Sequence, residues 1–462
     1  MYLAATTRAT SHRLGRLLGT VLSASAIVLS PPAFAMAQVP SDSPSESTYL
    51  LAQSNSAHAE AQRRIQTALE TQATELDLSG LDLQAIPAGI RQLTNLRTLG
   101  LSNNQLTSVP PELGQLTNLQ NLYLAYNQLT SVPSELGQLT NLQQLELSAN
   151  QLTSLPPELG QLTNLKGLIV WENQLTSVPA ELGQLANLEE LQLQRNQLTS
   201  VPAELGQLVN LLNVNLGNNR LTSIPLEIGQ LANLQSLFVY DNQLTSVPSE
   251  IGKLANLKIL NLYSNQLTRL PPEIGHLSNL GWLTLSDNQL SSLPAEISQL
   301  SQLEELALDD NQLSRLPTEI IQLSNLQVLS LDGNQLTHVP PAIGQLANLQ
   351  ILFLSSNQLA SLPLELFQLA NLEWLVLSDN QITILPAAIG QLSNLEQLYL
   401  DDNELRSLPA EISQLSKLYK LLLSNNQITA LPTEIELLHE GIYLSVHGNP
   451  LPPEILEQYP NF

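Results

Sequence analysis

Asn118–Pro133 reads NLQNLYLAYNQLTSVP, and 23 residues later Asn141–Pro156 reads NLQQLELSANQLTSLP. Leucines, asparagine and proline stay in register, whereas Tyr123, Ala125 and Tyr126 give way to Glu146, Ser148 and Ala149. A fixed period of this length marks a chain of stacked units, not one folded around a single globular core. The asparagine recurs at every 23rd position from Asn104 to Asn449, sixteen times without an insertion. One period before Asn104 stands Leu81, in LDLSGLDLQAIP, a degenerate copy that keeps the leucines but not the asparagine, which makes seventeen copies.

Counted from that asparagine, leucine stands at −5, −3 and +2, as in Leu99, Leu101 and Leu106 around Asn104. The alternation predicts a short strand with one buried face. Proline at +6, from Pro110 to Pro432, cannot donate to a ladder and ends the extended pairing. The following PELGQLTNL-type segments, with apolar residues three apart and glycine in most copies, suit a helical turn or irregular arch on the outer side. A single coil cannot bury its leucine face, so neighbours must stack around a shared apolar interior. The asparagine then has a structural task at the bend, where its amide satisfies backbone groups that would otherwise be buried unpaired.

These features identify a resemblance. LTNLQNLYLAYNQLTSVPSELGQ (116–138) resembles the leucine-rich repeat in its 23-residue form with a leucine-proline pair, and the likeness extends over residues 76–449. The resemblance implies an α/β solenoid, a horseshoe with a concave parallel β-sheet and short helical or irregular convex segments. It is similar to bacterial arrays, including those of Roco-type proteins and Ras-associated leucine-rich proteins. No glycine-rich loop ending in Lys-Ser/Thr accompanies it to supply a GTPase.

Residues at −6, −4, −2 and −1 are expected on the concave face or its rim, where they vary without disturbing the core and where recognition is expected. Tyr123, Tyr126, Trp171, Phe238, Tyr240, Tyr263 and Trp282 stand there in the early and middle coils, Phe353, Trp374 and Tyr399 in later ones. These are ten of the chain's eighteen aromatic residues, and aromatic side chains favour interface hot spots. The ordinary alternative is filler on strands that favour aromatics. Five of the rings, Trp171, Phe238, Tyr240, Tyr263 and Trp282, are expected to form one patch. Because sugars also stack on such rings, a polysaccharide is the alternative to a protein ligand.

Acidic residues form a second stripe in the C-terminal half, with Asp309, Asp310, Asp332 and Asp401 at its centre and Asp287, Glu305 and Asp402 beside them. With strands roughly 4.8 Å apart, Asp287, Asp309, Asp310 and Asp332 should crowd together. A well-solvated face, a basic partner surface steered by the field, or a calcium ion would each fit, but no calcium loop motif is present. No metal or cofactor is expected. The net charge of −24 argues against nucleic acid.

The N-terminus is a different text. RLGRLLGTVLSASAIVLSPPAFAMAQ carries arginines, an apolar run from Leu17 to Leu29, and Ala33-Phe34-Ala35 as a small-x-small cleavage site. Residues 1–35 are expected to be a secretory signal, too short in its apolar run for a membrane anchor. Cleavage after Ala35 or Ala37 would leave a secreted or periplasmic protein without a membrane span. With no cysteine anywhere, lipidation of an N-terminal cysteine and disulfide caps are excluded, which points to a bacterial version. Residues 36–55 read as a Pro/Ser-rich disordered linker, 56–74 as an amphipathic capping helix through Ala61, Ile65 and Leu69, and 450–462 as a C-terminal cap through Ile455, Leu456 and Tyr459.

Catalytic signatures are lacking. There is no cysteine nucleophile, HExxH or GxSxG, and the six histidines are scattered, His447 alone falling on the concave side, where it is expected simply to be solvated. The sequence thus describes an exported, non-enzymatic scaffold whose concave face binds a protein, with an envelope or extracellular polysaccharide as the alternative.

Overall fold

The computed structural model describes residues 46–438 and 441–458. Seventeen three-residue strands follow one another at the repeat period, from β1 (Glu75–Asp77), β2 (Thr98–Gly100) and β3 (Asn121–Tyr123) to β17 (Tyr443–Ser445). Every strand pairs in parallel with its sequence neighbour, the −5 leucines in line, as Leu76 opposite Leu99 and Leu99 opposite Leu122. One open sheet results, and coil n carries strand βn. After each of the first sixteen strands a five-residue 3-10 helix forms, Pro111–Gln115 in coil 2 for instance, with the +6 proline as its N-cap in extended conformation. The unit is a leucine-rich repeat solenoid.

The interior is a column of leucine: Leu122, Leu124, Leu129, Leu136, Leu139 and Leu142 are all fully buried, and each has its counterpart along the array. Between the sheet and the leucines runs the asparagine ladder. Leu106 N–H donates to Asn127 Oδ1 at 3.0 Å, while Asn127 Nδ2 donates to the carbonyls of Leu101 at 3.0 Å and Leu124 at 3.1 Å. Each amide therefore bonds its own coil and the one before, satisfying groups that would be costly to bury unpaired. A second ladder was not foreseen. Exposed asparagines at −9 donate to a carbonyl of the preceding coil, as Asn118 Nδ2 to Thr94 O at 2.9 Å and Asn394 Nδ2 to Ala370 O at 2.7 Å.

The convex glycine has a steric cause. A Cβ at Gly137 would stand 2.4 Å from the carbonyl oxygen of Glu158 in the next coil, and Gly114 and Gly160 repeat that approach. Ile321 and Phe367 occupy the same position in coils 11 and 13. In the coils that follow, the glutamate otherwise found at +8 in every coil from 2 to 16 is Ala342 and Ala388. Phe367 is buried, and Ala388 packs against the core, so volume gained on one coil is yielded by the next.

Helix α1 spans Glu46–Thr71, so residues 46–55, expected to be linker, are helical. No proline or glycine interrupts Ser45–Thr71, and Pro44 stands just outside the start, where helix breakers belong. Ala61, Ile65 and Ala68 of α1 are buried in the common core, with Leu69 partly so. At the far end α2 (Pro453–Gln458) packs Ile455 and Leu456 against that core. Residues 1–45, which hold the expected signal and half of the expected linker, and Tyr459 lie outside the described residues.

Candidate functional site

The sheet presents four outward columns. Positions −6 and −4 lie on the strands, flanking the buried −5 residue, as Asn121 and Tyr123 flank Leu122. Position −2 follows the strand, and −1 is a left-handed corner in every coil from 2 to 17: Tyr126 has φ 55°, Glu172 56°, Asp310 50°, and Gly333 and Gly448 fill the corner in coils 12 and 17. Tyr126 and Asp310 therefore stand on the rim, turned off the strand face.

Aromatic side chains divide into groups. The Tyr126 and Trp171 rings meet edge to face, centroids 5.9 Å apart and planes at 78°, across the intervening coil 4, whose Ser148 is wholly buried with its hydroxyl unpartnered. Phe238, Tyr240, Tyr263 and Trp282 belong to coils 8 to 10, at least three strands further on. The expected single patch of five rings is thus two, because at roughly 4.8 Å per strand no ring bridges that gap. Tyr240 lies over the backbone of coil 7, where a Cβ at Gly217 would come within 2.4 Å of the ring. Tyr263 is 41% exposed, and Tyr126 43%.

Later aromatics differ. Phe353 retains 8% of its exposure and Trp374 only 4%, although both are on outward columns, so they form floor and not projections. Tyr399 is half-buried, its hydroxyl donating to Gln397 Oε1 at 2.7 Å and accepting from Lys420 Nζ at 2.9 Å. The Lys420 ammonium also stands 4.7 Å from the Tyr399 ring centroid and 5.8 Å from that of Tyr443. Sequence reading passed over this lysine, whose signal was a cation at −6 between two aromatic strands.

The acidic stripe is a ladder along column −2. Asp309 accepts from Ser286 Oγ at 3.0 Å, from the Asp332 N–H at 3.0 Å and from Ser330 Oγ, while Asp332 accepts from the Ser355 N–H. Ser378 Oγ donates to Asp401 at 2.9 Å. Burial, reinforced by Asp309, pushes the Asp332 carboxyl up to about 7 against the opposing Ser355 hydrogen bond. Burial also raises Asp310, with Asp309 and Asp287 adding to it, and raises Asp401. The expected crowding of Asp287, Asp309, Asp310 and Asp332 is present, but Asp309 and Asp332 are held by the protein itself, leaving rim residues Asp287 and Asp310 to face outward. No group of three His, Asp or Glu side chains placed to hold a metal ion occurs among the described residues. His447 is not simply solvated: Ser424 Oγ lies 2.8 Å and Ser445 Oγ 3.0 Å from its Nδ1, closing the column in a hydroxyl network.

Residues 112–214 and 249–330 match the family described as leucine-rich repeat region, and 72–129 and 347–405 match leucine rich repeat. The chain belongs to the leucine-rich repeat proteins. Among solved structures it is similar to a Leptospira interrogans leucine-rich repeat protein, at 43% identity and a TM-score of 0.75, over 85% of this chain and 95% of that one. It is also similar to the plant peptide hormone receptor RGFR1 in complex with RGF2, at 33% identity and 0.73, over 82% of this chain and 63% of that. The Arabidopsis receptor kinase HAESA, in complex with the peptide hormone IDA and the co-receptor SERK1, aligns at 30% identity and 0.63, over 82% and 70%. No curated protein matches.

Proposed function

We propose that the chain is an exported scaffold without chemistry of its own, which binds a protein partner on its concave sheet. One observation carries this reading: an invariant buried frame holds outward columns that change from coil to coil and set aromatic side chains outward, foremost the exposed Tyr126 on the rim against the half-buried Trp171. Such rings offer large contact area at little cost in conformational entropy. Two of the similar structures, RGFR1 and HAESA, are complexes with peptide hormones. Export is supported by the apolar run Leu17–Leu29 before Ala33-Phe34-Ala35, and no described helix is long and apolar enough to cross a membrane.

The test is capture of a partner by the full-length mature chain, with a glycan array run in parallel. Alanine at both Tyr126 and Trp171 should weaken partner binding by about 2 kcal/mol or more without lowering the melting temperature. Neutralising Asp287 and Asp310 should mainly slow association, an effect that shrinks as salt rises. Exchanges at the convex residues Gln184 and Gln230 should leave binding unchanged. Selective retention of a neutral glycan, silent to the acidic changes, would replace the protein by a polysaccharide. Loss of binding from the convex changes alone would overturn both readings.

A further inference from the structure

The concave sheet has a notch at its N-terminal end. In column −4, Asp77 of β1, Gly100 of β2, Tyr123 of β3 and Glu146 of coil 4 stand side by side in register. Gly100 lacks the side chain that every neighbour in the column carries, and a cleft of about 340 Å³ opens there, near the lower end of the range for small-molecule sites. The Asp77 carboxylate leans over the gap, since a Cβ at Gly100 would stand 2.6 Å from its Oδ1. Glu75 extends the wall on the same side, and Tyr123 and Glu146 form the other.

The lining has one sign of charge. Glu75, Asp77 and Glu146 are acidic, and neither lysine nor arginine lines the cleft. Arg64, which approaches β1 from α1, is committed to Glu60 at 2.8 Å and to the Asp77 carbonyl at 2.9 Å. Asp77 Oδ1 receives the Ser79 N–H at 2.9 Å. Glu146 is half-buried, and burial alone raises its carboxyl above the usual range, with no donor or cation to oppose it. Burial raises the Tyr123 phenol as well, the Glu146 charge adding to it. A half-buried carboxylate beside an aromatic ring, at the mouth of an open notch, is a setting that a cation would stabilise. Glu75 and Asp77 stand on β1 and Glu146 three strands on, and no group of three side chains placed to hold a metal ion occurs among the described residues.

We propose that this cleft binds an organic cation, a guanidinium or ammonium group on an alkyl stem, with Asp77 and Glu146 supplying the charge and Tyr123 the aromatic wall. The group comes either from a free amine or from a basic side chain of a peptide. The site does not depend on what the remainder of the concave face binds.

Titration calorimetry of the full chain with agmatine, and with an acetylated and amidated Gly-Arg-Gly peptide, tests it. Saturable one-to-one binding is expected for at least one probe, and none for the uncharged butylurea. Gly100→Leu should abolish that binding, because it fills the notch at an outward position that elsewhere accepts Tyr123 and Phe238. Glu146→Gln and Asp77→Asn should each weaken it by about tenfold, the effect of losing one charge-assisted contact. Tighter binding of the peptide assigns the cation to a partner's side chain, and tighter binding of agmatine assigns it to a free amine. If Gly100→Leu lowers the melt, the two carboxylate exchanges decide alone. Absence of binding by both probes, or binding indifferent to the carboxylate exchanges, overturns the assignment.

Discussion

Coils 3 to 10 and coils 11 to 15 share one buried frame and present opposite faces. In the first group aromatic rings project: Tyr126 and Tyr263 keep over two fifths of their surface, Tyr126 with Asn103 and Ala149 beside it in column −1, and Tyr263 between Tyr240 and the small Ser286 in column −2. In the second, Trp374 stands in column −6 beside Ile351, Phe353 in column −4 beside Val376, and nearly all of their surface is gone. The difference teaches that an outward position does not fix exposure. Strands stand roughly 4.8 Å apart, closer than the width of an indole with its contacts, so bulky neighbours in adjacent coils bury one another. An aromatic with a small neighbour in its column projects; one crowded by bulky neighbours becomes part of a second, shallow core on the concave side.

The sharpest way to break this contrast is truncation. Trp374→Ala should cost about 3–5 kcal/mol of stability, whereas Tyr126→Ala should cost under about 1 kcal/mol. Denaturant melts of the two variants decide it, and equal losses would mean that the later rings are as dispensable to the fold as the earlier ones. A smaller effect probes the convex side. Gly183→Phe sets a ring against the Glu204 carbonyl, 2.5 Å from the new Cβ, and should cost about 1–3 kcal/mol. Adding Glu204→Ala should restore part of that loss, since it reproduces the pairing of Phe367 with Ala388. A double variant no better than the single one would show that coils 13 and 14 compensate by other means.

Acidity separates the regions by a lesser amount. The Asp332 carboxyl, at about 7 in the fold, lies above its unfolded value near 3.9, so the folded state holds the extra proton between these limits. The associated stability is complete below the unfolded value and is lost as pH rises through 7. Between pH 5 and 8 the chain should lose on the order of 2 kcal/mol from this group, and Asp332→Asn should flatten that slope. Thermal melts across the range measure it, and an unaltered slope in the variant would assign the dependence to another group.

The repeat period, the strand and its buried face, the bend asparagine and the parallel stacking were legible in the sequence because each is dictated by local pattern repeated many times. Asn127 needs only the carbonyls of Leu101 and Leu124 and the N–H of Leu106, all fixed by register. The outward columns were legible as well: column −2 ran as read, through Trp171, Tyr240, Asp309 and Asp401. Four things became visible only in the tertiary structure: the pairing of Tyr126 with Trp171 over coil 4, the burial of Phe353 and Trp374, the closure of Asp309 by Ser286 and Ser330, and the notch at Gly100. Each depends on side chains one or two coils apart meeting across strands, where rotamer and neighbouring volume decide contact. A periodic pattern specifies which positions share a face, but it holds no information on how two unlike side chains fill the space between coils.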